Sequence, residues 1–196
     1  MPVRTLKETR NAMSYELDLF NRCYDHLLKN EGGYANDPQD KGGETYKGIA
    51  RKFHATWEGW SLIDEYKQMN GFPNNAYSDD DLNEMVRDFY KNKFYDRMEL
   101  DLIVNENSVL QIFDMGVNAG IKTAIKLAQK ACDAGLIIDG ILGVKTAFEI
   151  NHWGHLFFDR YVNQRIEHYK GIVERKPSQS KFLNGWIRRA KNTKFA

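Results

Sequence analysis

Residues 29–50 read KNEGGYANDPQDKGGETYKGIA, and this segment decides how the whole chain is interpreted. It contains five glycines, four carboxylates and one proline, and it directly follows a helical pattern. Asp-Pro and Gly-Gly pairs favour turns, whereas residues 34–36 and 44–46 have the composition of short strands. We therefore expect a small β-hairpin wing after the first helix, in a chain that is otherwise helical.

The first helix is predicted to begin at Tyr15, with Ser14 as its N-cap and residues 1–14 as a loose arm. Its apolar residues recur at spacings of three and four, which is the period of one helix face. They are Leu17, Phe20, Tyr24 and Leu27. The next position on this face is Glu31, and the Gly-Gly pair that follows is expected to end the helix in a left-handed conformation.

Glu31 has the features of a carboxyl group that keeps its proton near neutral pH. Burial on an apolar face disfavours the charged form of a carboxylate, and the negative end of the helix dipole does the same. The carboxylates that follow in the sequence would add like charge. Because all three effects raise a pKa, Glu31 is a candidate general acid.

Cleavage of a glycosidic bond uses such an acid together with a carboxylate that acts as a nucleophile or as a base for water. Asp40 lies nine residues after Glu31, and a hairpin could fold it back opposite this acid. Thr45 supplies a hydroxyl group that could hold the water. Asp37 and Glu44 are alternatives to Asp40, and all of these acids also fit an ordinary turn rich in Asp and Gly. Retaining and inverting arrangements of the carboxylates both stay open.

The rest of the sequence predicts a mainly α-helical protein. Helical periodicity returns around Ile49, a loop is expected around residues 70–74, and Ser78 resembles the N-cap of the next helix. The later predicted helices are residues 108–118, 123–134, 145–150, 156–173 and 179–190. A soft boundary near Gly120 divides the chain into a lobe of residues 15–120 and a lobe of residues 121–196.

Composition favours a folded chain and excludes several classes of function. Of the 196 residues, 42% are hydrophobic and 13% aromatic, which is enough for a substantial core. The two cysteines show no Cys-X-X-Cys spacing and the five histidines form no HExxH motif, so no metal site is predicted. The helices of residues 123–151 carry no arginine, which disfavours a helix-turn-helix that reads DNA bases, and nucleic acid is not an expected partner.

Charge is unevenly distributed along the chain, although the net charge is only +1. Residues 165–196 carry nine Lys and Arg against two Glu, a net charge of +7 for this segment. Such a segment is a candidate contact for an anionic envelope, and a solvated helix face has the same composition. Neither a secretory signal nor a run of 18 apolar residues is present. We therefore expect synthesis in the cytoplasm and another route to any target outside it.

Several blocks of the sequence together resemble glycoside hydrolase family 108, a family of peptidoglycan N-acetylmuramidases that includes phage endolysins. The blocks are EGGY at 31–34, DP with Asp40 at 37–40, GGET at 42–45, GI at 48–49, FDMGVNAG at 113–120, DGILGVKT at 139–146 and FLNGWIRR at 182–189. The resemblance covers about residues 15–190. EGGY with GGET is specific, whereas DGILGVKT alone is weak. Lys47 departs from the pattern, since many family members carry an aromatic residue there.

The resemblance implies a lysozyme-like α+β fold that is mainly α, with a small β-hairpin wing and a helical C-terminal lobe that binds peptidoglycan. It implies hydrolysis of the β-1,4 bond between N-acetylmuramic acid and N-acetylglucosamine, with Glu31 as the catalytic acid and no cofactor. Bacterial peptidoglycan is the implied partner. The order Glu31, Asp40, Thr45 is also similar to that of phage-type lysozymes, which would give Asp40 and Thr45 a water-positioning role.

Three further residues are candidate substrate contacts. Tyr34 and Tyr46 flank the wing and could stack on sugar rings. Asn118 lies one helical turn after Asp114 and could bind a sugar N-acetyl group or orient the acid. Each has a structural alternative, which is core or rim packing for the tyrosines and a satisfied buried polar pair for Asp114 and Asn118.

Two other functions fit the same sequence. A lytic transglycosylase would use Glu31 alone and leave a 1,6-anhydro sugar. A non-catalytic wall-binding or secretion-associated module would keep the fold without the chemistry. The favoured interpretation is a bacteriolytic, antimicrobial endolysin, a monomer that reaches the wall through a holin-type membrane lesion or a dedicated secretion system.

Overall fold

The computed structural model describes residues 6–29, 32–36 and 43–195, with side chains from residue 14 onward. In this part of the chain the backbone is mainly helical with three short strands, which confirms the predicted fold class. The helices are α1 (Leu6–Leu28), α2 (Gly59–Lys67), α3 (Asn74–Tyr77), α4 (Asp80–Tyr90), α5 (Glu106–Ala119), α6 (Ile121–Cys132), α7 (Val144–Trp153), α8 (His155–Arg175) and α9 (Ser180–Asn192). The strands are β1 (Tyr34–Asn36), β2 (Glu44–Tyr46) and β3 (Ile49–Ala50).

The wing is a three-stranded antiparallel sheet in the order β1-β2-β3. Strands β2 and β3 are joined by a two-residue turn in which Lys47 has a φ of 44° and Gly48 a φ of 81°. Two successive positive φ values are the pattern of a type I′ turn, whose twist fits a hairpin. The expected wing is therefore present, with a third strand that the sequence pattern assigned to a helix.

Two predicted helix starts are wrong. α1 begins at Leu6 instead of Tyr15, so residues 6–14 are not a loose arm. This part has no apolar stripe, but it is rich in residues with high helix propensity, such as Leu, Lys, Glu, Arg and Ala. The segment predicted to be helical around Ile49 forms β3 and turns, and the next helix starts at Gly59. The N-cap of α4 is Asp79, one residue after the predicted cap, and its carboxylate accepts a hydrogen bond from the backbone N–H of Leu82.

The apolar face of α1 is confirmed for three of its four predicted residues. Phe20 and Leu27 are fully buried and Tyr24 is nearly so, whereas Leu17 is half exposed. The helix ends at Leu28. The Gly-Gly pair does not end it in the expected way, because the helix stops four residues before Gly32.

The contacts of the chain form two compact units, one of residues 24–93 and one of residues 1–23 with 94–196. The predicted boundary near Gly120 does not coincide with this division. α5 precedes Gly120 in the sequence, yet it packs against α6 and α8, which follow it. The unit of residues 24–93 contains the wing, α2, α3 and α4. Its fully buried side chains include Tyr46, Ile49, Ile63, Leu82 and Val86.

A buried charge cluster joins α5, α8 and α9 in the other unit. The Asp114 carboxylate is fully buried and accepts hydrogen bonds from Arg165 at 2.6 Å and from Arg189 at 2.8 Å. Burial alone would raise the pKa of Asp114, but the two guanidinium groups hold this pKa below its usual value. Gln111 extends the cluster, because its amide donates to the backbone carbonyl oxygens of Ala190 at 2.7 Å and Thr193 at 2.9 Å.

Candidate functional site

The predicted site consists of six residues, of which the structure describes four. These four are Tyr34, Thr45, Tyr46 and Asn118. Glu31 and Asp40 lie outside the described residues, as does the alternative acid Asp37. The wing carries the first three of the described residues, and Asn118 lies at the end of α5 in the other compact unit.

The register of the wing places Thr45 and the two tyrosines on opposite faces of the sheet. Thr45 pairs with Ala35 on one side and Ala50 on the other, so these three small residues share a face. That face is half-buried to exposed. Tyr46 pairs with Tyr34, and their face is the one that enters the core. A ligand that meets Thr45 therefore does not meet the ring of Tyr46.

The predicted role of Tyr46 as a sugar-stacking residue is wrong. Its side chain is fully buried, its ring stacks on Tyr77 with centroids 5.9 Å apart, and its hydroxyl donates to the carbonyl oxygen of Ala76 at 3.0 Å. Burial raises the pKa of the Tyr46 hydroxyl well above its usual value. Strand alternation turned this ring inward, so it packs in the core and offers no face to a ligand.

Tyr34 is half-buried and its polar groups are already engaged. Its hydroxyl donates to Glu44 at 3.0 Å, and its ring meets the edge of Phe72 with centroids 4.6 Å apart. Burial and the Glu44 carboxylate together raise the pKa of the Tyr34 hydroxyl. Its role as a substrate contact remains a prediction, which would rest on the exposed part of the ring.

Glu44 is a structural carboxylate that holds the wing to α2. It accepts hydrogen bonds from Tyr34, from Arg51 at 2.7 Å and from Lys67 at 2.7 Å. Partial burial would raise the pKa of Glu44, but these donors more than offset burial and hold the pKa below its usual value. Asp64 binds the same two cations. Both Glu44 oxygens are thus engaged, which disfavours Glu44 as the alternative to Asp40.

Thr45 is suited to hold a water molecule. Its hydroxyl is half-buried and donates to the carbonyl oxygen of Gly43 at 3.3 Å. A hydroxyl oxygen also has lone pairs with which it can accept a hydrogen bond. Its two cross-strand partners, Ala35 and Ala50, present only methyl groups on this face.

Gly33 is required because a tyrosine lies against its backbone. A Cβ atom at Gly33 would lie 2.1 Å from the hydroxyl oxygen of Tyr77 and 2.8 Å from the ring carbon that carries it. This hydroxyl accepts a hydrogen bond from the backbone N–H of Tyr34 at 2.5 Å. The second glycine of EGGY therefore lets the chain be fixed two residues after Glu31.

Replacing Gly33 by Ala should destabilise the protein by about 1–3 kcal/mol, because the new methyl group must displace the ring of Tyr77. Gly32→Ala is the matched control. No atom of the described residues lies within 4 Å of a Cβ at Gly32, so a loss of stability is not expected there. Chemical denaturation of both variants measures the difference, and equal free energies of unfolding would contradict this account.

Lys47, the departure from the family pattern, is a structural residue of the wing. Its ammonium group donates to the side-chain oxygen of Asn83 and lies about 6 Å from the ring centroids of Tyr46 and Tyr77. Partial burial lowers the pKa of this ammonium group. Its backbone N–H donates to the Gly33 carbonyl at 3.0 Å, so the turn of the wing is tied to the EGGY segment.

Asn118 is exposed at the end of α5, and its amide donates to the backbone carbonyl of Asp114 at 2.7 Å. The side chain of Asp114 turns the other way and binds arginines. The two residues therefore do not form the side-chain pair that was one of the predicted alternatives. The carbonyl oxygen of the exposed Asn118 amide suits a hydrogen bond to a ligand, and its role remains a prediction.

A depression of about 400 Å³ in residues 24–93 was not predicted. Aromatic rings of Phe53 and Trp57 line it together with polar groups of Glu58, Asp88 and Asn92. α4 continues beside it as a π-helical turn, Lys91–Tyr95, and such turns are frequent at functional sites. Ring faces with carboxylate and amide groups between them suit a sugar. The sequence pattern assigned Phe53 to a helix, so its place in this depression could not be predicted.

The DGILGVKT block contains a hydrogen-bonded structural turn. The Asp139 carboxylate accepts hydrogen bonds from the amide of Gln129 at 2.7 Å and from the Ile141 N–H at 2.9 Å. Gly140 has a φ of 83°, and a Cβ there would lie 2.9 Å from the carbonyl oxygen of Lys122. Only glycine fits this position, so the block fastens the loop after α6 to that helix.

The described residues contain neither a cluster of metal ligands nor a helix that could span a membrane. Over residues 6–29, 32–36 and 43–195, no three His, Cys, Asp or Glu side chains lie close enough together to hold a metal ion. Within the same ranges, no helix combines the length and apolar character needed to cross a membrane. Cys23 and Cys132 are both buried free thiols.

Comparison with solved structures supports the fold. The structure of Brucella abortus SagA superimposes with a TM-score of 0.64, covers 89% of this chain and 90% of that chain, and shares 20% sequence identity. At this identity the likeness shows the fold alone, which is the expected lysozyme-like, mainly helical one. No curated protein sequence matches the chain.

Comparison with family models defines the class of protein. Residues 24–120 match the model for Glycosyl hydrolase 108, and residues 123–191 match the model named Predicted Peptidoglycan domain. The protein is therefore a glycoside hydrolase that acts on peptidoglycan. It belongs to glycosyl hydrolase family 108, with the peptidoglycan domain as its C-terminal part, which confirms the resemblance drawn from the sequence blocks.

Proposed function

We propose that the protein is a muramidase that hydrolyses the β-1,4 bond between N-acetylmuramic acid and N-acetylglucosamine, with Glu31 as the general acid. The observation that carries this proposal is the match of residues 24–120 to the hydrolase family, in a segment that contains both EGGY and GGET. The anchoring of Gly33 by Tyr77 supports it, because it fixes the chain two residues after Glu31.

In this proposal Asp40 and Thr45 act on the attacking water molecule or on the charge that develops at the sugar ring. Glu31 donates its proton to the leaving glycosidic oxygen, and Asp40 activates or orients water or stabilises the oxocarbenium-like state. The hydroxyl of Thr45 helps to hold the water. The engagement of Glu44 by Arg51 and Lys67 supports Asp40, because it removes one competing carboxylate.

Product analysis tests which bond is cut. Digestion of purified sacculi should release fragments whose reducing end is N-acetylmuramic acid, detected by borohydride reduction and mass spectrometry. Reducing N-acetylglucosamine would assign the other glycosidic bond. Fragments with 1,6-anhydro ends would identify a lytic transglycosylase that uses Glu31 alone. Either of these two results overturns the proposal.

The biological role belongs to the same proposal. We expect a monomeric, bacteriolytic and antimicrobial endolysin of phage type, which reaches the wall from the cytoplasm through a holin-type lesion or a dedicated secretion system. Two of the nine cations of residues 165–196 bind Asp114. Exposed cations on α9, such as Lys181 and Lys191, would contact the anionic envelope. Cells that express the protein should lyse only when their inner membrane is permeabilised, which turbidity measures.

A further inference from the structure

A small basic depression lies between α6 and α8, within the peptidoglycan domain. It has a volume of about 240 Å³, and its polar lining includes Lys130, Gln164, Glu167, His168 and Arg175. Pockets for drug-sized ligands have volumes of roughly 300–1,000 Å³. The size therefore favours one chemical group with its neighbouring atoms over a whole disaccharide.

The charges in this depression are not balanced by the protein. Burial lowers the pKa of the His168 imidazole, and the positive charges of Arg175 and Lys130 lower it further. In the part of the chain that the structure describes, neither Lys130 nor Arg175 makes an ion pair. The only carboxylate in the lining, Glu167, is itself paired with Lys170 at 2.8 Å. Uncompensated like charges around a concave surface attract an anion.

Gly171 indicates that the position of Arg175 matters. It lies in the interior of α8, where glycine costs about 0.5–1 kcal/mol relative to alanine. A Cβ at Gly171 would lie 3.3 Å from a guanidinium nitrogen of Arg175. The missing methyl group thus lets this guanidinium lie along the helix at the edge of the depression.

From this geometry we propose that the depression binds a carboxylate of the peptidoglycan stem peptide, held by Arg175, Lys130 and the amide of Gln164. The inference rests on the proposed function only in taking peptidoglycan as the ligand. Arginine matches the two oxygens of a carboxylate with two parallel N–H donors, and Gln164 adds a neutral donor at the same surface. A peptide acid is favoured over an envelope phosphate because the depression lies within residues 123–191, the peptidoglycan domain.

NMR titration of the His168 side chain tests the proposal with the soluble tripeptide L-Ala-γ-D-Glu-L-Lys. Because the added carboxylate offsets the charges of Lys130 and Arg175, the pKa of His168 should rise on binding. Lys130→Gln and Arg175→Gln should each weaken binding about tenfold or more. Lys181→Gln, which removes a charge from α9 outside the depression, should leave the affinity unchanged. The peptide has no glycosidic bond, so failure here is distinct from failure of the proposed hydrolysis.

Gly171→Ala separates binding from structure. The new methyl group should stabilise α8 and move the guanidinium of Arg175 by a few tenths of an ångström, so stability should rise while the affinity for the tripeptide falls slightly. A purely structural role of this glycine predicts no such opposite change. The proposal is overturned if the tripeptide with both carboxyl groups amidated binds equally well or if inorganic phosphate binds as tightly as the free acid. It is also overturned if Lys130→Gln and Arg175→Gln both keep wild-type affinity.

Discussion

Glu31→Gln should lower the rate of peptidoglycan hydrolysis by roughly 100- to 10,000-fold, the range expected for loss of a general acid. Glutamine keeps the shape of the side chain but has no proton to give to the leaving glycosidic oxygen. The rate is measured as the clearing of turbid sacculi and as the release of new reducing ends. Binding to sacculi should persist, because the C-terminal peptidoglycan domain is untouched.

The control for this variant is Glu65→Gln, an exposed carboxylate on α2 in the same compact unit. It makes the same Glu-to-Gln substitution without touching the EGGY segment, and it should keep wild-type activity. Two results would show that Glu31 is not the catalytic acid. One is equal clearing by wild type and Glu31→Gln, and the other is clearing by neither protein while both bind.

Asp114→Ala should destabilise the protein by about 3–5 kcal/mol, the range for breaking a buried ion pair from one side. The guanidinium group of Arg165 is fully buried, and that of Arg189 is mostly buried. Arg165 would lose its counter-ion and Arg189 would lose the Asp114 carboxylate, and both guanidinium groups would remain where water has little access. Chemical denaturation of wild type and variant measures the loss.

Glu167→Gln is the matched control, because it breaks an exposed pair with Lys170 on α8. Exposed pairs contribute about 0–1 kcal/mol, so this variant should stay close to wild type. Acid adds a second test. The folded pKa of Asp114 lies below its unfolded value, so its contribution is present above the unfolded pKa of about 3.9 and is lost as pH falls further. Asp114→Ala should therefore lose less stability than wild type on acidification.

The helices could be predicted where one apolar face sets the period. The predictions for α5, α6, α8 and α9 agree with the observed bounds to within about two residues, which is the ordinary uncertainty of helix ends. α1 was predicted too short because residues 6–14 form a helix through propensity and show no apolar stripe. The segment after Gly48 was assigned to a helix because Ile49, Phe53 and Trp57 recur every four residues. The same spacing is compatible with the observed strand followed by turns.

The wing was predicted from its turns, but the direction of its side chains was not. A strand of three residues does not reveal which face enters the core until its pairing is known. Tyr46 was therefore taken for a surface ring, and it is a core residue. Glu44 looked like part of a catalytic acid cluster because its partners, Arg51 and Lys67, come from later parts of the sequence. Contacts between distant positions decided both outcomes.

The ion cluster at Asp114 also bears on synthesis of the chain. Arg189 follows Asp114 by 75 residues. At translation rates of about 5–20 residues per second, the ribosome needs roughly 4 to 15 s to add it. During that interval a nascent chain carries an acidic centre whose second cation has not yet been made. Helix α9 thus supplies the second cation of the cluster, and the packing of α5 against α9 can be completed only after translation has passed residue 189.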